Sequence, residues 1–244
     1  MEYSDSLLFW VLAVAGVILT GISKSGFAGG AGVVAVPLLS LVMPVQHAAV
    51  LLLPILIAMD AKTVYLNRAS IDFQVIRPIV IASLFGIAIA GIAMAVISSS
   101  ILQVVLALFC IAFAIWHRLI PMLGKMPGAE YLWGSVSGLS STLLHAGGPP
   151  ITIYFLSKGI SKKVWIAQAA IFFSFMNLVK VIPYQLNGLW DLHYFMVSLI
   201  LIPVALVGVY IGHRIQAFIS EDAFILSCRT LLGLTGVALL MESL

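Results

Sequence analysis

Two glycine-rich breaks interrupt the apolar sequence of this chain, and they decide how the rest of it can fold. The first reads Gly26-Phe27-Ala28-Gly29-Gly30-Ala31-Gly32, and the second reads His145-Ala146-Gly147-Gly148-Pro149-Pro150. They lie at corresponding positions in the two halves of the chain. In a membrane protein, interrupted apolar segments at such positions indicate a ligand site near the middle of the bilayer.

Composition places the chain in a membrane. Of its 244 residues, 62% are hydrophobic and only 9% are charged, and the mean hydropathy is +1.18. A soluble domain contains about 25% charged residues, so a water-soluble fold is excluded. No basic run could follow a nucleic-acid backbone. The first residues are acidic rather than basic, so we expect the first apolar segment to be retained rather than removed as a signal peptide.

The lengths of the apolar runs predict an all-α polytopic protein. Runs near 46–66, 73–97, 164–186, 191–212 and 222–243 have the roughly 20 residues that a crossing helix needs. The run 100–117 is shorter but sufficient if the membrane adapts locally. The run 148–157 rises only about 15 Å as a helix, which is half of a bilayer core. The segments flanking the breaks are therefore expected to be half-helices.

The second half of the chain repeats the first with a shift of 118 residues. This shift places Gly16 on Gly134, Ala28-Gly29-Gly30 on Ala146-Gly147-Gly148, Lys62 on Lys180 and Cys110 on Cys228, and one further residue brings Asp72 onto Asp191. We expect a first repeat over 1–120, a cytoplasmic linker over 121–130 and a second repeat over 131–244.

The distribution of basic residues indicates that the repeats are inverted. Lys and Arg occur in the linker and near the loops 67–72, 157–163 and 213–222, whereas the loops near 44–46, 98–100 and 187–191 and both termini have none. The positive-inside rule makes the first group cytoplasmic and the second external. Corresponding loops then lie on opposite faces, which predicts two inverted repeats, each a broken or re-entrant helical hairpin followed by three transmembrane helices. Hairpins that cross the membrane fully would satisfy the same pattern.

The breaks resemble those of the TauE/SafE family of sulfite and organosulfonate exporters, also called the toluene-sulfonate uptake permease family. The resemblance rests on the Gly26–Gly32 cluster leading into Val36-Pro37-Leu38-Leu39, on the second Gly-Gly-Pro-Pro and on the length, and it covers essentially the whole chain. It implies an ion-coupled secondary transporter of small sulfur-containing anions, without specifying which anion. His145 and Pro149-Pro150 depart from the usual form of the second motif.

An anion inside a bilayer needs positive charge or oriented N–H donors. Half-helices that begin at the breaks would offer free backbone N–H groups and the positive end of the helix dipole. We therefore expect an anion to bind between the two breaks. The expected substrate-binding residues are Lys24, Ser25, Gly26, Gly29, Gly30, His145, Gly147, Gly148 and Pro149.

Several of these residues, and five further polar residues, allow two interpretations. Lys24 either binds the anion or snorkels to the external interface, and His145 either couples the substrate to protons or is only hydrogen-bonded. The gating or coupling candidates are Asp60, Lys62, Gln168, Asn177 and Lys180. Snorkelling is the simpler interpretation of both Lys62 and Lys180, and Asp60 would pair with another cation or relay protons. Gln168 and Asn177 could equally connect helices by hydrogen bonds.

These features predict a secondary transporter of sulfite or an organosulfonate in a bacterial inner membrane, with both termini external. Protons are the expected coupling ion, and alternating access between the two breaks is the expected mechanism. An anion channel of the same architecture is the main alternative, since half-helix dipoles also build pores. A carrier of a different small organic anion is another. The sequence has no HExxH, GxSxG or Cys/His cluster, so we expect neither an enzyme nor a metal or other cofactor.

Overall fold

The computed structural model describes residues 3–26, 34–115, 124–215, 218 and 220–243, and no strand occurs among them. Short 3₁₀ turns lie at Tyr3–Asp5 and Arg68–Ser70. The α-helices of this part of the chain are α1 (Leu7–Gly26), α2 (Ala35–Leu39), α3 (Val45–Asn67), α4 (Phe73–Met94), α5 (Ser99–Ile115), α6 (Ala129–Leu144), α7 (Gly148–Lys158), α8 (Lys162–Val179), α9 (Val181–Leu186), α10 (Leu192–Ile215) and α11 (Glu221–Ser243).

Five helical segments of the described chain are long and apolar enough to cross a membrane. They are Leu7–Gly26, Val45–Ser70, Phe73–Met94, Lys163–Leu186 and Leu192–Ile215, and a shorter apolar helix occupies Ser99–Ala112. Their outward surfaces carry large apolar side chains such as Phe85, Ile92 and Ile200, which are 66%, 72% and 61% exposed. Apolar surface on this scale suits lipid rather than water. The prediction of an all-α polytopic membrane protein is confirmed.

The second glycine-rich break is a true interruption between two helices. α6 ends at Leu144, and α7 begins at Gly148 and has 11 residues, close to the short helix predicted over 148–157. A Cβ on Gly124, five residues before α6, would meet the carbonyl oxygen of Ile153 and the Cβ of Ser157, which is next to the last residue of α7. The end of α7 therefore lies near the beginning of α6. The chain enters and leaves this helix pair at the same end.

The first break falls mostly outside the described residues. α1 ends at Gly26, and residues 27–33, including Gly29 and Gly30, lie in the gap before α2. α2 packs back along α1, because a Cβ on Gly16 would lie 3.0 Å from the Cα of Ala35. At Ala35, nine residues after the end of α1, the chain is thus again level with the middle of α1.

The most extensive helix contacts join the two halves. α4 packs on α6, α1 packs on α10, α5 packs on α11, and α3 packs on both α10 and α8. The shift of 118 or 119 residues relates α1 to α6, α3 to α8 and α9, α4 to α10, and α5 to α11. The contacts α4–α6 and α1–α10 are thus equivalent under this shift, which is the pattern expected of two related repeats. The inversion of the repeats stays a prediction.

The two halves also begin corresponding helices in the same way. The carboxylate of Asp72 accepts the N–H of Gln74 at the start of α4, with 2.9 Å between the atoms. The carboxylate of Asp191 accepts the N–H of His193 at 2.7 Å at the start of α10. Each bond satisfies an N–H that the first turn of a helix leaves without a backbone partner.

Candidate functional site

A small cavity lies at the break between α6 and α7. Its volume is about 20 Å³, which is enough for about one water molecule. The cavity is lined by Lys24 of α1, Leu56 of α3, Ser141 of α6, His145 and Gly148 at the break, and Phe173 and Asn177 of α8. Four of these residues were predicted as site residues from the sequence, although they come from three distant segments. They are Lys24, His145, Gly148 and Asn177.

Lys24 and Asp60 form a buried ion pair beside this cavity. The Nζ of Lys24 donates to the Oδ1 of Asp60, and the side chains are 9% and 1% exposed. The Nδ2 of Asn177 donates to the other carboxylate oxygen. The Nζ of Lys24 also lies 5.1 Å from the centre of the Phe173 ring, within the range of a cation–π contact. Lys24 therefore points into the protein and does not snorkel to an interface, and Asp60 pairs with a cation.

Lys180 is fully buried, so the snorkelling interpretation of this residue is wrong. Its side chain is 0% exposed. Its Nζ lies 3.1 Å from both the carbonyl oxygen and the hydroxyl oxygen of Ser141, and 2.9 Å from the Nδ1 of His145. An ammonium group has three donors and no acceptor, and here each donor has a partner. These three bonds offset part of the cost of burying the group, and none of the three partners is a carboxylate.

His145 is neutral in this arrangement, and its tautomer follows from its partners. Its Nε2 lies 2.8 Å from the carbonyl oxygen of Ala49, which can only accept, so Nε2 carries the hydrogen. Its Nδ1 then accepts from Lys180. His145 therefore connects α3 to Lys180, because it donates one hydrogen bond to Ala49 and accepts another from Lys180. A proton on Nδ1 would face the Lys180 ammonium group directly.

A proline places Lys180 at a kink between α8 and α9. Pro183 has no N–H to donate to the carbonyl of Val179, four residues earlier, so the helix loosens at this turn. The chain still continues in a helical course, since the N–H of Tyr184 lies 3.2 Å from the Lys180 carbonyl. Asn177 and Lys180 are three residues apart and lie on one face of the helix. This face supplies both the partner of Asp60 and the second buried ammonium group.

Ser25 and Gly26 pack α1 against α10 and take no part in the cluster. The Ser25 hydroxyl donates to the carbonyl of Val209 at 2.7 Å. A Cβ on Gly26 would lie 2.7 Å from the carbonyl oxygen of Gly212, which is too close for any side chain. Their prediction as ligands of the anion gains no support from these contacts. Gly29 and Gly30 lie outside the described residues.

At the second break, Gly147 and Pro149 also have packing roles. A Cβ on Gly147 would lie 2.8 Å from the Cβ of Ser141, and the hydroxyl of Ser137 donates to the Gly147 carbonyl at 2.8 Å. Pro149 is buried in the first turn of α7. Pro149 and Pro150 have no N–H, so Gly148 is the only backbone donor among the first three residues of α7. This helix start therefore offers fewer N–H groups than an ordinary one, and the binding of an anion there stays a prediction.

Lys62 and Gln168 lie away from the cavity. Lys62 is exposed, with its Nζ 5.6 Å from the centre of the Tyr65 ring. The Gln168 amide, with its nitrogen facing the Asp72 carbonyl, donates to that oxygen at 3.0 Å and accepts from the Asp72 N–H at 2.6 Å. Gln168 thus links α8 to the start of α4, as its interhelical interpretation predicted. The structure brings neither residue to the ion pair.

Three lining residues were not predicted from the sequence. Ser141 precedes His145 by four residues, and Phe173 precedes Asn177 by four, so both lie one helical turn from a predicted residue. That spacing was a usable signal for both. Leu56 has no comparable signal, because it is one of many apolar residues in α3.

One comparison with known proteins gives a match. The family model described as sulfite exporter TauE/SafE matches residues 12–239. No curated protein and no solved structure matches the chain. The matched range includes both breaks and every residue of the buried cluster.

Proposed function

The chain belongs to the sulfite exporter TauE/SafE family, and we propose that it carries sulfite or an organosulfonate across a bacterial inner membrane by alternating access. The family consists of membrane transporters of sulfur-containing anions rather than enzymes. The cavity beside Lys24 and His145 is the proposed binding site. Protons are the proposed coupling ion, and both termini are proposed to be external.

A buried excess of positive charge carries the proposal for this site. Lys24 and Lys180 supply two ammonium groups, and Asp60 supplies one carboxylate. Placing an uncompensated charge in the protein interior costs several kcal/mol after relaxation, so an unbalanced ammonium group attracts an anion strongly. An oxyanion in the cavity would receive hydrogen bonds from Lys24 and from the N–H of Gly148.

The size of the cavity agrees with a carrier in a closed state. A space for about one water molecule cannot hold a sulfite ion, which has four heavy atoms. Helices α1, α3, α6 and α8 must therefore separate before the anion can enter. A carrier that opens to one side at a time requires such a closed state.

Flux measurements in proteoliposomes test the proposal. Sulfite, methanesulfonate, sulfate, acetate and chloride would be compared, with and without a pH gradient. We expect saturable flux of sulfite or methanesulfonate that responds to the pH gradient. Flux of chloride and acetate at rates too high for a carrier cycle would instead support the channel, and the absence of any sulfur-anion flux would overturn the proposal.

A pair of lysine variants tests the position of the site. Lys24→Met removes a charge-assisted hydrogen bond to the anion, worth about 1.5–3 kcal/mol, and should lower apparent affinity by roughly 10- to 100-fold. Lys125→Met removes an exposed lysine that does not line the cavity and should leave the affinity unchanged. Equal affinities in both variants would place the site elsewhere. Elution as a single species shows that each variant is folded.

A further inference from the structure

Asp60 is a buried carboxylate beside a site proposed for an anion, and alternating access alone gives it no role. Its side chain is 1% exposed and is held by Lys24 and Asn177. A substrate anion next to an ionised Asp60 is repelled, whereas a protonated Asp60 removes that repulsion. The position of this carboxylate therefore links the binding of an anion to the binding of a proton.

The charges around Asp60 can be counted from the hydrogen bonds. Within the described residues, the titratable side chains that face it are Lys24 of α1, Lys180 at the α8–α9 kink, and His145 beyond Lys180. With Lys180 protonated, its three donors have three acceptors, and His145 is neutral because Nδ1 accepts and Nε2 donates. With both lysines protonated and Asp60 ionised, the cluster carries a net charge of +1.

An incoming anion must compete with Asp60 for Lys24. The cavity of about 20 Å³ leaves no room for a sulfonate beside the intact ion pair. The anion therefore either displaces the carboxylate or shares the ammonium group with it. In both cases two negative groups compete for the Lys24 ammonium group, because Lys180 is held by Ser141 and His145 and does not line the cavity. Two like charges this close favour the uptake of a proton by one of them. A sulfonic acid is a much stronger acid than a carboxylic acid, so the proton binds the carboxylate of Asp60 and not the sulfonate.

Asn177 can remain the partner of Asp60 in both protonation states. Its amide donates to the ionised carboxylate in this structure. A carboxamide also has an acceptor oxygen, which can receive the O–H of a protonated Asp60 after the amide turns. The protonated acid would thus keep a hydrogen-bond partner without contact to Lys24.

We infer that Asp60 is the proton carrier of the transport cycle, taking up one proton from the same compartment as the anion that binds Lys24. The inference rests on the proposed function, and it applies to a monovalent anion such as a sulfonate. The proton and the anion then cross together and are released together. On release, Asp60 loses its proton to the receiving compartment and pairs again with Lys24.

This scheme makes the loaded and the empty protein equal in charge. The empty cluster carries +1, as counted above. The loaded cluster contains two ammonium groups, one monovalent anion and a neutral Asp60, which is again 2 − 1 = +1. Transport is therefore electroneutral and depends on the pH difference but not on the membrane potential.

A pH gradient and a membrane potential, applied separately to proteoliposomes, distinguish this electroneutral scheme from transport of the anion alone. Radiolabelled methanesulfonate is the probe, because it remains a monovalent anion across the usable pH range. For the wild-type protein we expect accumulation on the alkaline side by about tenfold per pH unit, as one-to-one stoichiometry requires. A potassium diffusion potential set with valinomycin should change nothing. For Asp60→Asn we expect the reverse, with no response to pH and roughly 50-fold accumulation per 100 mV.

Two variants control this comparison. Asp60→Glu keeps a carboxylate and should retain the pH-driven accumulation. Asp191→Asn changes an exposed acid that caps α10, and asparagine is an equally good cap, so its accumulation should match wild type. If Asp60→Asn does not fold, the wild-type response to the two gradients still decides between the schemes.

The outcomes separate this inference from the function on which it rests. Wild-type flux that follows the membrane potential and ignores the pH difference overturns the role of Asp60 and leaves the transport of sulfur anions intact. If the Asp60→Asn variant retains pH-driven accumulation, the role of Asp60 is also overturned and the transport of sulfur anions is again left intact. If the wild-type protein moves neither methanesulfonate nor sulfite, the proposed function fails, and this inference fails with it.

Discussion

His145 combines an uncommon backbone conformation with two specific hydrogen bonds. Its φ is 50°, and among the described residues it is the one non-glycine residue with a positive φ. This left-handed conformation costs an ordinary side chain about 1–2 kcal/mol. Glycine would avoid the cost but would lose the bonds to Ala49 and Lys180. The two hydrogen bonds of the imidazole therefore offset the cost of the left-handed backbone at this position.

Substitution of His145 separates the backbone cost from the lost hydrogen bonds. His145→Ala and His145→Gly both remove the imidazole, but only alanine keeps the left-handed strain. We expect the alanine variant to have the lower free energy of unfolding, by about 1 kcal/mol. Denaturant titration of the purified protein measures the difference. Thr230, an exposed helical position, is the control, and there the alanine variant should be more stable than the glycine variant by about 1 kcal/mol. The same order of stability at both positions would contradict this account.

The helices that join the two halves approach each other at glycines. A Cβ on Gly134 of α6 would lie 2.7 Å from the carbonyl oxygen of Ile79 in α4. A Cβ on Gly208 of α10 would lie 2.7 Å from the carbonyl oxygen of Ile18 in α1. Small residues at membrane helix contacts allow such close packing of backbones, which replaces the hydrophobic effect as the source of stability. Both equivalent interfaces are built in this way.

A methyl group at such a contact should separate the helices. We expect Gly134→Ala to lower the free energy of unfolding by about 1–3 kcal/mol, because the α4 backbone cannot move aside without loss of packing. Gly233→Ala is the matched control, since its new Cβ would meet only the side chain of Ala114 at 3.2 Å. Thermal unfolding in detergent measures both variants. A smaller loss at Gly134 than at Gly233 would show that the α4–α6 contact is not tight.

At the scale of the whole molecule, corresponding positions of the two halves differ in burial and in hydrogen bonding. Lys62 and Lys180 are related by the shift of 118 residues, yet Lys62 is exposed and Lys180 is buried. Ser23 and Ser141 are related by the same shift. Ser141 binds Lys180, whereas the buried hydroxyl of Ser23 has no partner in the described part of the chain. The charged cluster is therefore asymmetric, although the helices around it correspond in pairs.

The predicted inversion of the repeats has a direct test. Position 44 precedes α3, and position 160 precedes α8, so they are equivalent within two residues under the shift. In a variant with Cys110 and Cys228 replaced by alanine, we expect an impermeant maleimide to label Pro44→Cys from outside intact cells. Ile160→Cys should react only after permeabilisation, because its loop contains lysines. Labelling of both from the same side would exclude inversion.

The sequence by itself determined the class of the protein, the helix-breaking segments and a set of residues that includes most of the cluster. Run length, glycine and proline positions, and rare intramembrane charges are local properties, so Lys24, Asp60, His145 and Asn177 could be selected without a structure. Only the tertiary structure decided which of these side chains meet. In a membrane protein, surfaces that face lipid and surfaces that face other helices are both apolar, so the pattern of a helix does not show which face packs on which neighbour. The pairing of Lys24 with Asp60, the burial of Lys180, and the packing roles of Ser25 and Gly26 follow from that choice of faces.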